Sequence, residues 1–296
     1  MQTLKRPVLI EIDLKQAEWV IVAYLAKDPN MISVIEEHRD AHAATGSQIT
    51  GLSEDLIKEE SKLLGHETDP DAIERVRASV GGSFLGAKFL PRTMSIRQMG
   101  KKSNHALNYD MTANRFAMEN ETPLSESRLI VEGYHKGYPG IRGTFHAGIR
   151  RQLEVDRTLT NCFGRRVRFL GPWENELFKK AYDFLPQSTV ADCCNRGLIY
   201  CCHHNATAGV LTPQTQVHDS VLHLGRYHHP SELWDPVQLC VAHMTPELTY
   251  GPYTFQLECE AKIGYSWGED HMLPLPLDSE ESFVRAIEEL EKNASQ

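Results

Sequence analysis

The chain has no run approaching the roughly 20 consecutive apolar residues that a membrane-spanning helix needs. Its N-terminal segment carries a basic pair, but the short apolar run is ended by Glu11 and Asp13, too soon for a secretory signal with a cleavage site. These two absences make a soluble, cytoplasmic protein the expectation. No internal repeat or low-complexity stretch is present, and 41% hydrophobic with 24% charged residues excludes a disordered or collagen-like chain. With 296 residues there is enough chain for one large domain or two modest ones. Positive charge is also short: 31 Lys and Arg face 40 Asp and Glu, a net charge of -9. Taken alone, that balance weighs against a nucleic-acid partner, because phosphate contacts want cations.

Cysteine is sparse and odd in number, seven in all, so a disulfide scaffold is not expected without export signals. Cys193-Cys194 and Cys201-Cys202, followed by His203-His204, tempt a metal reading. On one helix, residues seven or eight apart stand about 10–12 Å from each other along the axis, too far for a single zinc ion. They read as small buried or half-buried thiols.

What charge there is, is segregated. Arg75 to Lys102 holds seven basic residues and no acid, and Arg142 to Lys180 holds nine basic against four acidic. Two such blocks suit either a local phosphate-binding groove or a pair of solvated helix faces.

Hydrophobic periodicity orders the chain as α+β, a small sheet with a helical insertion. Pro7–Asp13 is a β-rich run ending in an acid, followed by an amphipathic helix on Ala17, Val20, Ile21, Tyr24 and Leu25. Residues 31–64 are helical with breaks, Ser53 being an N-cap, and Asp69-Pro70-Asp71 starts another helix. A glycine-marked loop is expected over 81–91, then a helix carrying Arg97 through Tyr109. Ser125–Lys136 is helical, Tyr138-Pro139-Gly140 turns into the next helix, and Gly164-Arg165 sits in a hairpin. Glu174 to about His204 is one long helix with a break at Pro186. A second hairpin has Asp219 in its tight turn; Tyr253–Ile263 is the last strand, and a charged helix ends the chain.

Asp13 at a strand end and Asp219 in a turn between apolar strands are the acids that stand out. A carboxylate so placed costs desolvation unless it is paired or binds a metal, although a helix cap and a turn former would serve equally well. Arg97 and Lys101, at i and i+4, share one helix face and suit a polyphosphate; alone they would be a solvated face.

The order of the motifs decides between these readings. Asp13-Leu14-Lys15-Gln16-Ala17-Glu18 resembles motif A of the family A DNA polymerases, and Asp40-Ala41-His42-Ala43-Ala44-Thr45 resembles that family's Asp-x-His-x-x-Thr element. Arg97-x3-Lys101-x7-Tyr109, continuing to Arg115, is similar to motif B. Tyr138-Pro139-Gly140, Gly164-Arg165-Arg166 and Gln187-Ser188-Thr189-x2-Asp192 resemble successive blocks. Val217-His218-Asp219 is similar to motif C, and Lys262-Ile263-Gly264 with Trp267 to the final strand. The likeness runs over residues 7–268, with the blocks in family order.

It implies a right-hand polymerase: palm in 1–38 and 158–296, helical fingers in 39–157 with an insertion near 51–90. The implied reaction is attack of a primer 3′-hydroxyl on a dNTP, with two Mg²⁺ held by Asp13 and Asp219 and with Lys101 catalytic. Gln16, Glu18, His42, Arg97, Lys101, His105 and Tyr109 would bind the nucleotide. Within that set Glu18 would exclude a ribose 2′-hydroxyl, His42 would touch phosphate and Tyr109 would stack at the template. Arg165, Arg166, Gln187 and His218 would contact primer–template DNA. Four positions depart from the family pattern: His105 for an aromatic, Asp110 for Gly, Asp183 for Asn and Ser220 for Glu. Because motif A comes so early, a separate polypeptide supplying thumb and exonuclease is expected, as in a split phage or mobile-element polymerase. A catalytically silent DNA-binding scaffold and a single-subunit RNA polymerase are the alternatives.

Overall fold

Residues 4–65, 69–79, 94–204, 209–268 and 271–294 are described by a computed structural model. The glycine-marked loop expected over 81–91 lies outside them. The chain divides into two units: Met1–Ala17, Thr160–Arg165 and Gln187–Gln296 form one, Glu18–Leu159 and Arg166–Pro186 the other.

The first unit is built on a sheet. In β1 (Val8–Leu14), Val8, Ile10, Ile12 and Leu14 are buried and alternate with half-buried Leu9, Glu11 and Asp13, the period of a strand with one core face. It lies between β5 (Ser220–Gly225) and β8 (Cys259–Gly264), antiparallel to both, with β4 (Leu211–Val217) and β9 (Leu273–Pro274) at the edges. The order is β4-β5-β1-β8-β9. The expected single strand 253–263 is in fact two: β7 (Tyr253–Phe255) pairs with β6 (Leu248–Tyr250), and β8 begins only at Cys259. Helices α11 (Trp234–Met244) and α12 (Glu280–Asn293) complete the unit; α12 was expected from its charge pattern, α11 was not.

The long helix α10 (Asn175–His203) keeps helical structure straight through Pro186, where a break was expected. Pro186 is buried, so packing offsets the one hydrogen bond its ring removes. The division between the units nevertheless falls directly after it. Cys193, Cys194 and Cys201 on this helix are buried as expected, whereas Cys202 is exposed.

The second unit is helical. Its elements are α1 (Ala17–Ala26), α2 (Pro29–Glu36), α3 (Ala41–Thr50), α4 (Glu54–Leu64), α5 (Pro70–Ser79), α6 (Ile96–Leu107), α7 (Ala113–Asn120), α8 (Leu124–Gly137) and α9 (Ala147–Asp156). A π-helical turn over Ile141–His146 precedes α9, and the strand pair β2 (Thr158–Thr160) and β3 (Arg166–Arg168) follows it. Trp19, Met31, Met99, Phe116, Tyr134 and Tyr138 anchor the core. Instead of the amphipathic stripe expected for α1, Ile21, Val22, Ala23 and Ala26 are all fully buried. N-caps start the helices where the sequence has Asp28, Asp40, Ser53, Ser95 and Thr112.

Three histidines in this unit are held neutral. Burial, reinforced by nearby Arg97 or Arg142, pushes His42 down to about 4, His135 to about 3 and His146 to about 4. A histidine whose folded pKa lies below its unfolded 6.5 contributes stability that is present above pH 6.5 and lost as pH falls toward the folded value. Each costs up to about 1.4 kcal/mol per pH unit in that window. Asp183, raised to about 6 by burial and by Glu18, and Asp13, raised to about 7, work in the opposite sense but are two groups against three. The melting temperature of the metal-free protein is therefore expected to fall steadily from about pH 6 to pH 4.5. A flat profile in a circular-dichroism melting series would contradict this.

Candidate active site

The tight turn His218-Asp219 joins β4 to β5, with Val217 paired to Ser220. His218 takes a φ of 53°, a left-handed conformation that costs a non-glycine residue about 1 kcal/mol. That turn sets Asp219 beside β1: the Leu14 amide donates to the Asp219 carbonyl at 3.0 Å, and Asp13 pairs with Ser220. The two acids singled out in the sequence therefore come together. On the other side Asp13 pairs with Glu260 of β8, a third carboxylate that the sequence reading missed. Burial and then Asp219, Glu260 and Glu11 push the Asp13 carboxyl up to about 7, against an opposing pull from Lys262. Carboxylates that outnumber the one cation acting on them, on a half-buried strand face, are a donor set for a hard divalent cation.

Ser220, in place of the expected Glu, donates its hydroxyl to Glu11 Oε1 at 3.3 Å, and Trp267 Nε1 donates to the same oxygen at 3.2 Å. Gln16 also sits at positive φ, 52°.

The basic cluster lies in the helical unit. Asp40 caps α3, accepting from the amides of His42 at 2.9 Å and Ala43 at 3.0 Å, while its other oxygen accepts from Arg97 Nε at 2.7 Å. Burial works against the Asp40 carboxylate, but the Ala43 amide and Arg97 outweigh it and its pKa is lowered. Arg97 and Lys101 both bear electrostatically on His42, which places the two cations and the neutral imidazole at one locus. Lys101 is exposed and has no acid within ion-pair reach among the described residues.

Asn104, not read from the sequence, organises this locus. Its Nδ2 donates to the Ala41 carbonyl at 3.2 Å and stands 3.2 Å from His42 Nδ1, while its Oδ1 accepts from Thr45 Oγ1 at 2.7 Å. Thr45 in turn meets the Tyr138 hydroxyl at 3.0 Å, so two of the sequence blocks join in one buried hydrogen-bond chain.

Tyr109 falls past the end of α6 at Leu107, whereas the helix of Arg97 and Lys101 was expected to carry it. Its phenol donates to the Glu18 carboxylate, and burial followed by that carboxylate holds the phenol well above its usual range. Asp183 faces the same Glu18 and is drawn down by His105. Asp110, where the resemblance implied Gly, takes a φ of 58°, a conformation aspartate tolerates, and its carboxylate accepts from Arg142 at 3.0 Å.

Of the four residues expected to contact DNA, Arg166, Gln187 and His218 are exposed. Arg165 is exposed too, but its Nε donates to both oxygens of Asp192 at 3.0 Å; Asp192 also accepts from Asn161 at 2.8 Å.

Residues 83–269 match the family model described as DNA polymerase family A. The thermostable DNA polymerase I of Thermus aquaticus is 25% identical over 271 residues, covering 88% of this chain and 27% of its own length. DNA polymerase I of Deinococcus radiodurans is 26% identical over 193 residues, 62% of this chain and 16% of its own. The chain thus spans about a quarter of the length of the first of these relatives. Among solved structures, the POL domain of Pol1 from M. smegmatis, in complex with DNA primer-template and dNTP, aligns with a TM-score of 0.60 at 21% identity. That alignment covers 88% of this chain and 40% of that one.

Proposed function

Because this chain belongs to DNA polymerase family A, we propose that it adds deoxynucleotides to a primer 3′-hydroxyl under the direction of a template. The sheet unit would be palm, and the fingers would lie in the helical unit. The observation that carries this reading is the acidic pair, Asp13 on β1 and Asp219 in the adjoining β4–β5 turn, with the Asp13 carboxyl raised to about 7. A hard cation takes carboxylate and water ligands, usually one or two from protein, and this pair fits Mg²⁺. Two bound Mg²⁺ would lower the pKa of the attacking hydroxyl and neutralise triphosphate charge.

The chain's own residues bind and orient. Arg97 and Lys101 offer a guanidinium and an ammonium to the triphosphate, Arg97 being positioned by Asp40. His42, kept neutral by burial, offers a hydrogen bond without adding charge. His105 and Gln16 would bind the nucleotide, Tyr109 would meet the templating base, and Glu18 would exclude a ribose 2′-hydroxyl. Arg165, Arg166, Gln187 and His218 take the primer–template.

The test is single-nucleotide primer extension by this chain with each dNTP, in Mg²⁺ and in EDTA. Magnesium-dependent, template-matched incorporation supports the reading. Binding of primer–template without incorporation favours the silent scaffold instead.

A second expectation separates DNA from RNA synthesis. Glu18→Ala should raise kcat/KM for ribonucleotides relative to deoxynucleotides by about 10- to 200-fold, the range a lost steric contact supplies. Glu18→Gln, which still accepts from the Tyr109 phenol, should keep most of the discrimination. An unchanged ratio in Glu18→Ala would remove Glu18 from sugar selection.

A further inference from the structure

We propose that Cys201, His223 and Cys240 form a structural zinc site inside the sheet unit, apart from the acidic pair and independent of the polymerase reading. The three residues come from three elements: Cys201 from α10, His223 from β5 and Cys240 from α11. Their donor atoms all lie within 4.8 Å of one another, and Cys240 Sγ is 3.7 Å from His223 Nε2. Donors around a tetrahedral zinc, at 2.3 Å for sulfur and 2.0–2.1 Å for nitrogen, stand about 3.5–3.8 Å apart, so little movement is required.

The arrangement is built by packing. His223 pairs with Ile10 on the core face of the sheet and is fully buried, as are Cys201 and Cys240 to within 2%. Gly197, one turn before Cys201, lets α11 approach: a Cβ there would lie 2.4 Å from Met244 Cγ and 3.3 Å from the Cys240 carbonyl. The Met244 thioether is 3.9 Å from Cys240 Sγ, a further soft donor at the edge of the cluster.

Without a metal, this is a poor place for an imidazole. Among the described residues, His223 Nδ1 has no hydrogen-bond partner, and Nε2 meets the Cys240 thiol, a weak one. Two thiolates and a neutral imidazole supply two negative charges, so a divalent zinc yields a neutral complex that an apolar interior accepts. A monovalent soft ion would leave a buried net charge. Zinc uptake replaces the two thiol protons, which leave to solvent. The site would tie the strand that begins just after Asp219 to both helices covering its core face.

The experiment uses the full chain purified under reducing conditions from zinc-supplemented medium, then passed through EDTA. One zinc per chain by mass spectrometry is expected. Cobalt reconstitution should give the thiolate-to-cobalt charge-transfer band and the visible bands of a tetrahedral ion. Both signals should be lost in Cys240→Ser and kept in Cys202→Ser, whose side chain is exposed on the same helix. Should Cys240→Ser fail to fold, the cobalt spectrum of the unaltered chain decides alone. A reduced, folded chain with neither zinc nor a cobalt spectrum overturns the proposal. So does a Cys201–Cys240 disulfide in place of the full set of seven free thiols.

Discussion

Asp219→Ala is expected to lower the rate of single-nucleotide incorporation by about 10³-fold or more, several kcal/mol of transition-state stabilisation. Primer–template affinity should change by less than about threefold, because phosphate contacts made by cations dominate that term. The same substitution is expected to leave the melting temperature unchanged or raise it. Asp219 is the largest perturber of Asp13 after burial, so its removal relieves the repulsion it exerts on Asp13 and lets the Asp13 pKa fall back. The turn itself does not depend on the carboxylate, since the Leu14 amide binds the Asp219 backbone carbonyl. A group that costs stability and supports rate is the signature of a functional acid. If parent and variant extend primer equally, the acidic pair is not the metal site. If the variant melts well below the parent, Asp219 is a structural turn former instead.

The acidic pair was legible because both halves of it are local. A β-rich run ending in an acid and a hairpin with an acid at its turn can each be read from a few residues. Glu260 could not be read that way, because it becomes part of the site only through the register of β8 on β1, a pairing across nearly 250 residues. Asn104 was hidden for the same reason: a polar residue on an apparently amphipathic helix reads as a surface position until Thr45 and Ala41 are known to face it. Strand ends were misjudged where periodicity continued past the true boundary, as between β7 and β8. Proline at 186 was overweighted, because local propensity yields to burial in a long packed helix. Helical spacing argues against a common metal for the two cysteine pairs, yet it could not show that Cys201 meets two residues from other elements.

The contact between α3 and α6 yields the largest expected effect on stability. A Cβ at Gly100 would lie 2.1 Å from the His42 carbonyl oxygen and 3.1 Å from the Gly46 amide nitrogen, backbone atoms on a neighbouring helix that no rotamer change can move. Gly100→Ala must therefore part the helices, and overpacking of this kind costs about 3 kcal/mol. The Asp40–Arg97 ion pair and the Asn104 bonds to Ala41 and Thr45 span the same pair of helices and would loosen together. Helix propensity works in the other direction, favouring alanine by about 1 kcal/mol at an unobstructed site. The sign of the change is thus informative. Gly148 supplies the control, lying in α9 with open space where its Cβ would be, so Gly148→Ala should stabilise by about 0.5–1 kcal/mol. Thermal or denaturant unfolding of the two variants should move in opposite directions. If Gly100→Ala were as stable as Gly148→Ala, the close approach of α3 to α6 would be wrong. The positions of His42, Arg97 and Lys101 relative to one another would then have to be drawn again.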